Sequence, residues 1–463
     1  MTKPAPTSTL VFVALIVFID MMGIGLIVPV LPGLLEDLTG EGLDQTAQIG
    51  GWLLFAYALM QFLFAPVIGG LSDRFGRRPV LLITLFVLGI DYLIMALAPD
   101  LMWLFIGRIL SGIMGASWAA ANSCIADVAS AEERGKLFGI MGAAGGSGFV
   151  IGPAIGGILG EYGVRLPFFA AGALAILGAA LGYFILKETL PRGRRRAFTL
   201  ARANPLGTLI QMSRTPIVIG FIAVIFFMQL AGQAQMSVWS YHTQLMFDWS
   251  ERDIGFSVAL FGIIIAAVQG GLTGPVIAKI GPARTAMLGF LLAFPAYYLF
   301  AFSSTSWMMI VGILFGGLGG LTFPALQQMM SARIAEDAQG ELQGAVASAM
   351  SITSIIGPLI MTATFGAFAD DEGLYFPGAP YLLAAGLVII AILIAVTTIR
   401  RMRILPAPPQ SYSAHASTTD PLHKAARVPD SASLCEITKP FLTPSKRSPM
   451  RKVSPAPVRC ATA

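Results

Sequence analysis

The sequence predicts an all-α membrane protein of twelve transmembrane helices in two pseudo-symmetric six-helix bundles, and three observations predict it. The 463 residues are 56% apolar and only 12% charged, with a mean hydropathy of +0.75, a balance that belongs in lipid. Twelve apolar runs of about twenty residues follow one another, each long enough to cross a hydrocarbon core. Glycines also recur at a constant offset of 205 residues: Gly69 with Gly274, Gly76 with Gly281, Gly107 with Gly312, Gly139 with Gly344, and Gly152-Pro153 with Gly357-Pro358. A register unbroken through four spans indicates duplication of a six-span unit.

The first run, 10–31, holds Asp20 at its middle and lacks a small-residue cleavage site, so it reads as span one and not as a removable signal peptide. The other spans fall near 49–70, 80–98, 102–125, 137–160 and 166–186, then 216–239, 254–277, 285–302, 308–329, 342–367 and 380–399. The domains follow: an N-terminal bundle over 1–186, a basic connection over 187–214, a C-terminal bundle over 215–403, and a tail over 404–463. The tail is rich in Pro, Ser and Ala without apolar period, which predicts disorder. It carries His415, His423, Cys435 and Cys460 at spacings that suit no metal site, and Cys124 adds no disulfide framework.

Loop charge sets the orientation. Lys and Arg crowd every second connection (Arg74, Arg77 and Arg78; Arg134 and Lys136; the run from Lys187 to Arg214), while the alternate loops are mainly acidic. Both termini are therefore expected in the cytoplasm, with Trp52, Trp103, Trp249 and Trp307 at the outer interface. The net charge of +5 comes from loops and tail and fits a membrane surface, not nucleic acid.

Between spans two and three lies GGLSDRFGRRP, in which Gly69 and Gly76 are spaced for a tight turn and Asp73, Arg74, Arg77 and Arg78 supply charge. A positive-inside loop explains the arginines but leaves the aspartate and the glycine spacing unexplained. The order G-x-x-x-D-R-x-G-R-R resembles the signature loop of the major facilitator superfamily.

Three ionisable residues sit deep in the first bundle: Asp20 in span one, Asp91 in span three and Arg108 in span four. Such groups are costly in hydrocarbon and mark an ion, proton or substrate path, although Asp91 and Arg108 could also simply lock two helices together. Asp20 opens DMMGIGLIVPVLP, which ends at Pro32; with SDRFGRRPVLL from Ser72, Asp91-Tyr92 and GRILSG from Gly107, it resembles the tetracycline efflux antiporters. Gly139, Gly148, Gly152, Pro153, Gly156 and Gly157 in span five are similar to the motif of the superfamily's antiporters, and their small side chains suit close helix packing.

The resemblance implies a proton-coupled exporter in the inner membrane of a bacterium. It would carry tetracycline as a magnesium complex, giving antibiotic resistance, driven by the proton gradient with no cofactor and as a monomer. Gln61, Gln235, Trp239, Gln269, Phe323 and Gln327 are the leading candidates to line a cavity for a flat, partly polar ligand, within a wider set that also holds Phe226, Gln229, Gln233 and Gln328, though each amide could equally hydrogen-bond between helices. The chain departs from the resemblance in one respect: Ile265 and Ala293 stand where those antiporters carry a histidine and an aspartate for coupling. With no ionisable residue in the predicted second-bundle spans, coupling would rest on Asp20, Asp91 and Arg108. The departure also leaves open an exporter of another amphiphilic drug or metabolite. No P-loop, H-E-x-x-H or G-x-S-x-G occurs, so ATP-driven pumping and enzymatic chemistry have no sequence support.

Overall fold

A computed structural model of the chain describes residues 7–115, 117–129, 133–195, 216–335, 338–370 and 373–404. Residues up to Gln410 form one compact unit; the second unit, Ser411–Ala463, and the expected tail disorder lie outside the described residues, as does the basic connection from 196 to 215.

Helix α1 (Thr7–Ile27) is apolar from Leu10 onward except for Asp20, and the chain turns at Pro29 before α2 (Leu31–Thr39), which carries Pro32 in its first turn. Proline lacks the amide hydrogen a helix interior needs but fits a first turn. Gly40, at φ +70°, ends α2. Helix α3 (Leu43–Phe75) runs the full depth of the bundle to Gly76 at φ +109°, and α4 (Arg77–Leu97) returns. Gly40 and Gly76 thus mark the two ends of the molecule. The Asp100 carboxylate accepts from the amides of Met102 and Trp103 and caps α5 (Leu101–Met114). Then come α6 (Ser117–Val128), α7 (Arg134–Gly160) and α8 (Leu166–Ile185).

The second half comprises α9 (Pro216–Phe247), α10 (Glu251–Ala267), α11 (Thr273–Ile280), α12 (Pro282–Ala301), α13 (Ser306–Leu318), α14 (Thr322–Ser331), α15 (Gln339–Ala369) and α16 (Ala379–Ile404). Ser250 and Asp253 form a capping box at the start of α10. A π turn at Val268–Leu272 separates α10 from α11, and a 3-10 turn at Gly319–Leu321 separates α13 from α14. Both are glycine-containing interruptions within single crossings.

Among the described residues, eleven helical stretches are long and apolar enough to cross a membrane, counting α10 with α11 and α13 with α14 as single crossings. The predicted fourth span differs in that α5 ends at Met114 and α6 begins at Ser117, with residue 116 outside the described residues. The Gln61 amide donates to the Gly115 carbonyl at 2.9 Å, taking an acceptor that a continuing helix would use. A second departure is Gly69, expected to tighten the turn: it lies inside α3 with open space around it, and Gly76 alone makes the turn. A third concerns Trp249, expected at the interface. Trp52, Trp103 and Trp307 are exposed, but Trp249 is buried, with its indole donating to Ser306 at 2.9 Å.

Two helix pairs make the main contact between the halves, α3 with α15 and α7 with α10, and α3 also touches α9. Both are tight at the Gly40 end: a Cβ at Gly51 would overlap Thr362, one at Gly366 would overlap Gln48, and one at Gly157 would overlap the Glu251 backbone. At the Gly76 end, a Cβ on Gly139, Gly142 or Gly146 of α7, or on Gly270, Gly271 or Gly274 opposite, meets nothing within 4 Å. The apolar core agrees. One buried cluster crosses the seam near Leu26, Leu53, Phe168 and Trp239, whereas the first half's other cluster, around Ile16, Leu81, Cys124 and Ala175, stands separate. The seam is closed at the Gly40 end and open at the Gly76 end.

Candidate functional site

A cavity of about 230 Å³ lies at the seam behind the closed end. The first half contributes Ile24 from α1, Val28 from the turn after it, Tyr57 and Gln61 from α3, and Arg108 from α5. The second half contributes Gln233, Ser237, Ser240 and Tyr241 from α9, with Ser354 and Pro358 from α15. The α9 residues recur at three- and four-residue steps and so share one helix face. The mixture of apolar walls with a few placed polar groups suits a small organic ligand.

Asp91 and Asp20 are both buried at the first-half side. Asp91 accepts a hydrogen bond from Ser111, one turn beyond Arg108, and its Oδ1 has no hydrogen-bond partner. Arg108 donates to the Met95 sulfur at 2.9 Å and lies 5.8 Å from the Tyr57 ring centroid. Among the described residues no ion pair within 4.0 Å joins Asp91 to Arg108; Asp91 ties α4 to α5 through Ser111. Tyr92, next to Asp91 in sequence, lies against Gly23 of α1, one turn from Asp20, and Arg108 lies over Tyr57. The three predicted charges are thus brought together beside the cavity.

The six residues expected to line the cavity divide sharply. Gln61 does so, its amide also donating to the Tyr57 hydroxyl at 3.1 Å. Gln235 does not, because two residues along a helix from Gln233 point about 200° away. Trp239 belongs to the second half's core, donating to Ser257 at 2.9 Å and meeting Phe300 edge-on at 5.1 Å. Gln269 is exposed in the π turn, and Phe323 packs on the core. Gln327 donates to Gln343 at 3.4 Å, the interhelical bond that was the alternative reading of its amide. Gln233, which was among the sequence candidates, lines the cavity, and Ser237, Ser240 and Tyr241 complete the polar wall; a helix apolar on nearly all sides gave no signal for these three.

The span-five motif forms a two-sided wedge. Gly148, Gly152 and Gly156 face α1, where a Cβ would overlap the backbone of Phe18, Met22 and Leu26; Gly157 faces Glu251, and the Pro153 carbonyl lies against Gly255. Gly139 lies at the open end and takes no part in this contact.

At the Gly76 turn, Arg77 joins three segments. Its guanidinium reaches Asp73 at 2.7 Å and Asp127 of α6 at 2.9 Å, and its backbone amide donates to Glu188 at 2.8 Å. Arg78 stacks on Tyr183 at 5.3 Å and Arg74 on Phe75 at 5.2 Å. Asp127 and Glu188 escaped sequence reasoning, although acids at the basic end of the chain were the available signal.

Helix α9 also runs to Phe247, eight residues beyond the predicted span end, and so brings His242 into the second half. This corrects the expectation that no titratable group lies there: His242 is buried, its Nδ1 lacks a partner, and its ring meets Tyr381 edge-on at 5.1 Å. At the closed end, burial pushes the Glu36 carboxyl above its usual value, with the charges of Asp37 and Glu251 adding to the effect. Among the described residues, no cluster of three or more His, Cys, Asp or Glu is arranged to hold a metal ion.

The model of the Major Facilitator Superfamily matches residues 13–271 and 226–450. The chain is 42% identical over 376 residues to the tetracycline resistance protein, class C, of Escherichia coli, covering 81% of this chain and 93% of that one. It is 40% identical over 373 residues to the class G protein of Vibrio anguillarum, covering 78% and 91%. Its fold is similar to that of a bacterial homolog of the human lysosomal transporter Spinster, solved inward-facing and occupied, with a TM-score of 0.69 at 18% identity over 88% of this chain and 98% of that one.

Proposed function

The chain belongs to the major facilitator superfamily, and on that premise we propose that it exports tetracycline in exchange for protons by alternating access, conferring resistance to the drug. The observation that carries this reading is the cavity itself: it lies at the seam between the halves, with Arg108 on its wall and Asp91 beside it. The names of the tetracycline resistance relatives, which match over most of their length, support the substrate.

Loop charge supports a cytoplasmic Gly76 end in a bacterial cell, with both termini on that side. The closed Gly40 end then corresponds to the state that takes drug from the inside. The α7 wedge, Gly148 to Gly157, closes this seam and loosens as the halves rock. In the opposite state the drug leaves and water reaches Asp20 and Asp91, which take up protons. Burial favours the protonated acids and Arg108 favours the carboxylates, so a change in either contact moves the proton. The drug travels as its magnesium complex, the metal being cargo. The protein works as a monomer.

One observation favours another amphiphilic substrate: the second-half wall of the cavity holds no formal charge. Tetracycline accumulation in everted vesicles tests both readings. Uptake that collapses when the proton gradient is dissipated is the expected result; no uptake, with other drugs accumulated, selects the alternative.

A further inference from the structure

Helix α9 ends on an exposed acid, Asp248. Its last turn closes with the Asp248 amide donating to the Gln244 carbonyl at 3.1 Å and the Trp249 amide to the Thr243 carbonyl at 3.4 Å, with Asp248 at φ +51°. Glycine or asparagine is the usual residue at such an end, where the last carbonyls already make the local potential negative. A carboxylate there deepens that potential and attracts a cation.

Asp248 stands on the rim of a groove of about 510 Å³ between the end of α9, α10 and α13, away from the seam cavity. Asp253 shares the rim, and the Ser250 capping box occupies its Oδ2 while Oδ1 stays open to a ligand. Below the rim the groove turns apolar: Phe256 and Leu260 follow Arg252 by one and two turns of α10, and Ile310 lies one turn into α13. Phe256 and Ile310 are exposed, as is Trp307 at the head of α13, an indole at the level of a membrane interface. Arg252 rests over the Phe256 ring, 5.7 Å from its centroid, and pairs only loosely with Glu161 of α7 at 3.9 Å.

We propose that the groove holds one phospholipid with a primary-amine headgroup from the leaflet at the Gly40 end, its ammonium on Asp248 and Asp253, its phosphate on Arg252 and an acyl chain along Phe256, Leu260 and Ile310. The order of groups matches such a lipid, with both signs of charge at the rim and apolar surface beneath. An anionic headgroup meets two carboxylates, and a quaternary ammonium has no N–H to donate to them. A phosphate on Arg252 also competes with Glu161, so the bound lipid weakens a link between the halves at the closed end. The proposal is independent of which compound the seam cavity carries.

The test is native mass spectrometry of the full chain in detergent, titrated with palmitoyl-oleoyl phosphatidylethanolamine, phosphatidylglycerol or phosphatidylcholine, with thermal melting in lipid-free detergent alongside. The parent is expected to bind one ethanolamine lipid about fivefold more tightly than either of the others. Asp248→Asn should abolish this preference yet melt no lower than the parent, because asparagine suits the left-handed helix end and removes the acid from it. Arg252→Gln should weaken ethanolamine-lipid binding as well. Glu41→Gln, which neutralises an exposed acid at the same end but outside the groove, should keep the preference. A parent without headgroup preference, or an Asp248→Asn variant that retains it, overturns the proposal, as does an equal loss in Glu41→Gln. Soluble phosphoethanolamine that displaces the lipid at equal concentration overturns it too, by showing a site for a free amine with no part for the chain.

Discussion

Ser111 of α5 donates its hydroxyl hydrogen to the Asp91 carboxylate of α4, holding the acid by a neutral donor while Arg108, one turn away, turns to the Met95 sulfur. An acid engaged by a neutral group can gain or lose a proton without breaking an ion pair. The arrangement leaves Arg108 available to the cavity as well.

Coupling is therefore expected to fail with the acids. Asp20→Asn should abolish proton-driven accumulation in everted vesicles yet retain tetracycline binding, and Asp91→Asn should reduce accumulation less. Ser111→Ala, which removes one buried donor, should cost about 1 kcal/mol of stability by thermal melting and slow transport without abolishing it. Acid variants, alone and combined, that accumulate drug like the parent would contradict antiport through these residues.

His242 tests the same assignment from the other side. Its buried ring packs among Tyr381 and Phe247, and phenylalanine keeps that shape without the unpaired Nδ1. His242→Phe is expected to retain proton-driven uptake and to melt no lower than the parent. Loss of the gradient dependence in a well-folded variant would move coupling into the second half.

The Gly76 turn gives a contrast between two glycines. At φ +109°, and facing Glu188 and Arg195, Gly76→Ala should cost about 1–3 kcal/mol. Gly69→Ala, in an open stretch of α3, should gain about 0.5–1 kcal/mol in the helix. Thermal melting of both variants checks the pair. Asp73→Asn should leave expression intact, because Asp127 still holds the Arg77 guanidinium, and greatly slow transport, because the charge-assisted Asp73–Arg77 contact is lost at constant volume.

The closed end can be watched with a thiol. Thr362→Cys places a cysteine at the sealed α3–α15 contact, in a background where Cys124, Cys435 and Cys460 are replaced by serine. Gly157→Ala should increase its labelling by forcing α7 from Glu251, while Gly139→Ala should not. Labelling should also rise with pH. Closure sets Glu251 near Glu36 and helps raise the Glu36 carboxyl, so protonation favours the closed end and that advantage is lost as pH rises through the raised value. Glu36→Gln should flatten this dependence.

The sequence by itself determined the crossings, the halves and the residues that do not belong in lipid. Asp20, Asp91 and Arg108 stood out because charge in hydrocarbon is costly, and the span-five glycines because their spacing marks one packing face. Gly76 was legible from its charged turn. Tertiary structure alone decided which way each helix faces. Helix α9 is apolar on nearly every side, so nothing local distinguishes the face of Gln233, Ser237 and Tyr241 from that of Gln235 and Trp239; packing against α15 and α16 fixes the rotation. The Arg77 pairing with Asp127 depends on residues fifty positions apart in the chain meeting at one turn. The bond from the Gln61 amide to the Gly115 carbonyl likewise joins residues of different helices. These are contacts between elements, and lipid, which solvates every apolar face alike, leaves them to packing.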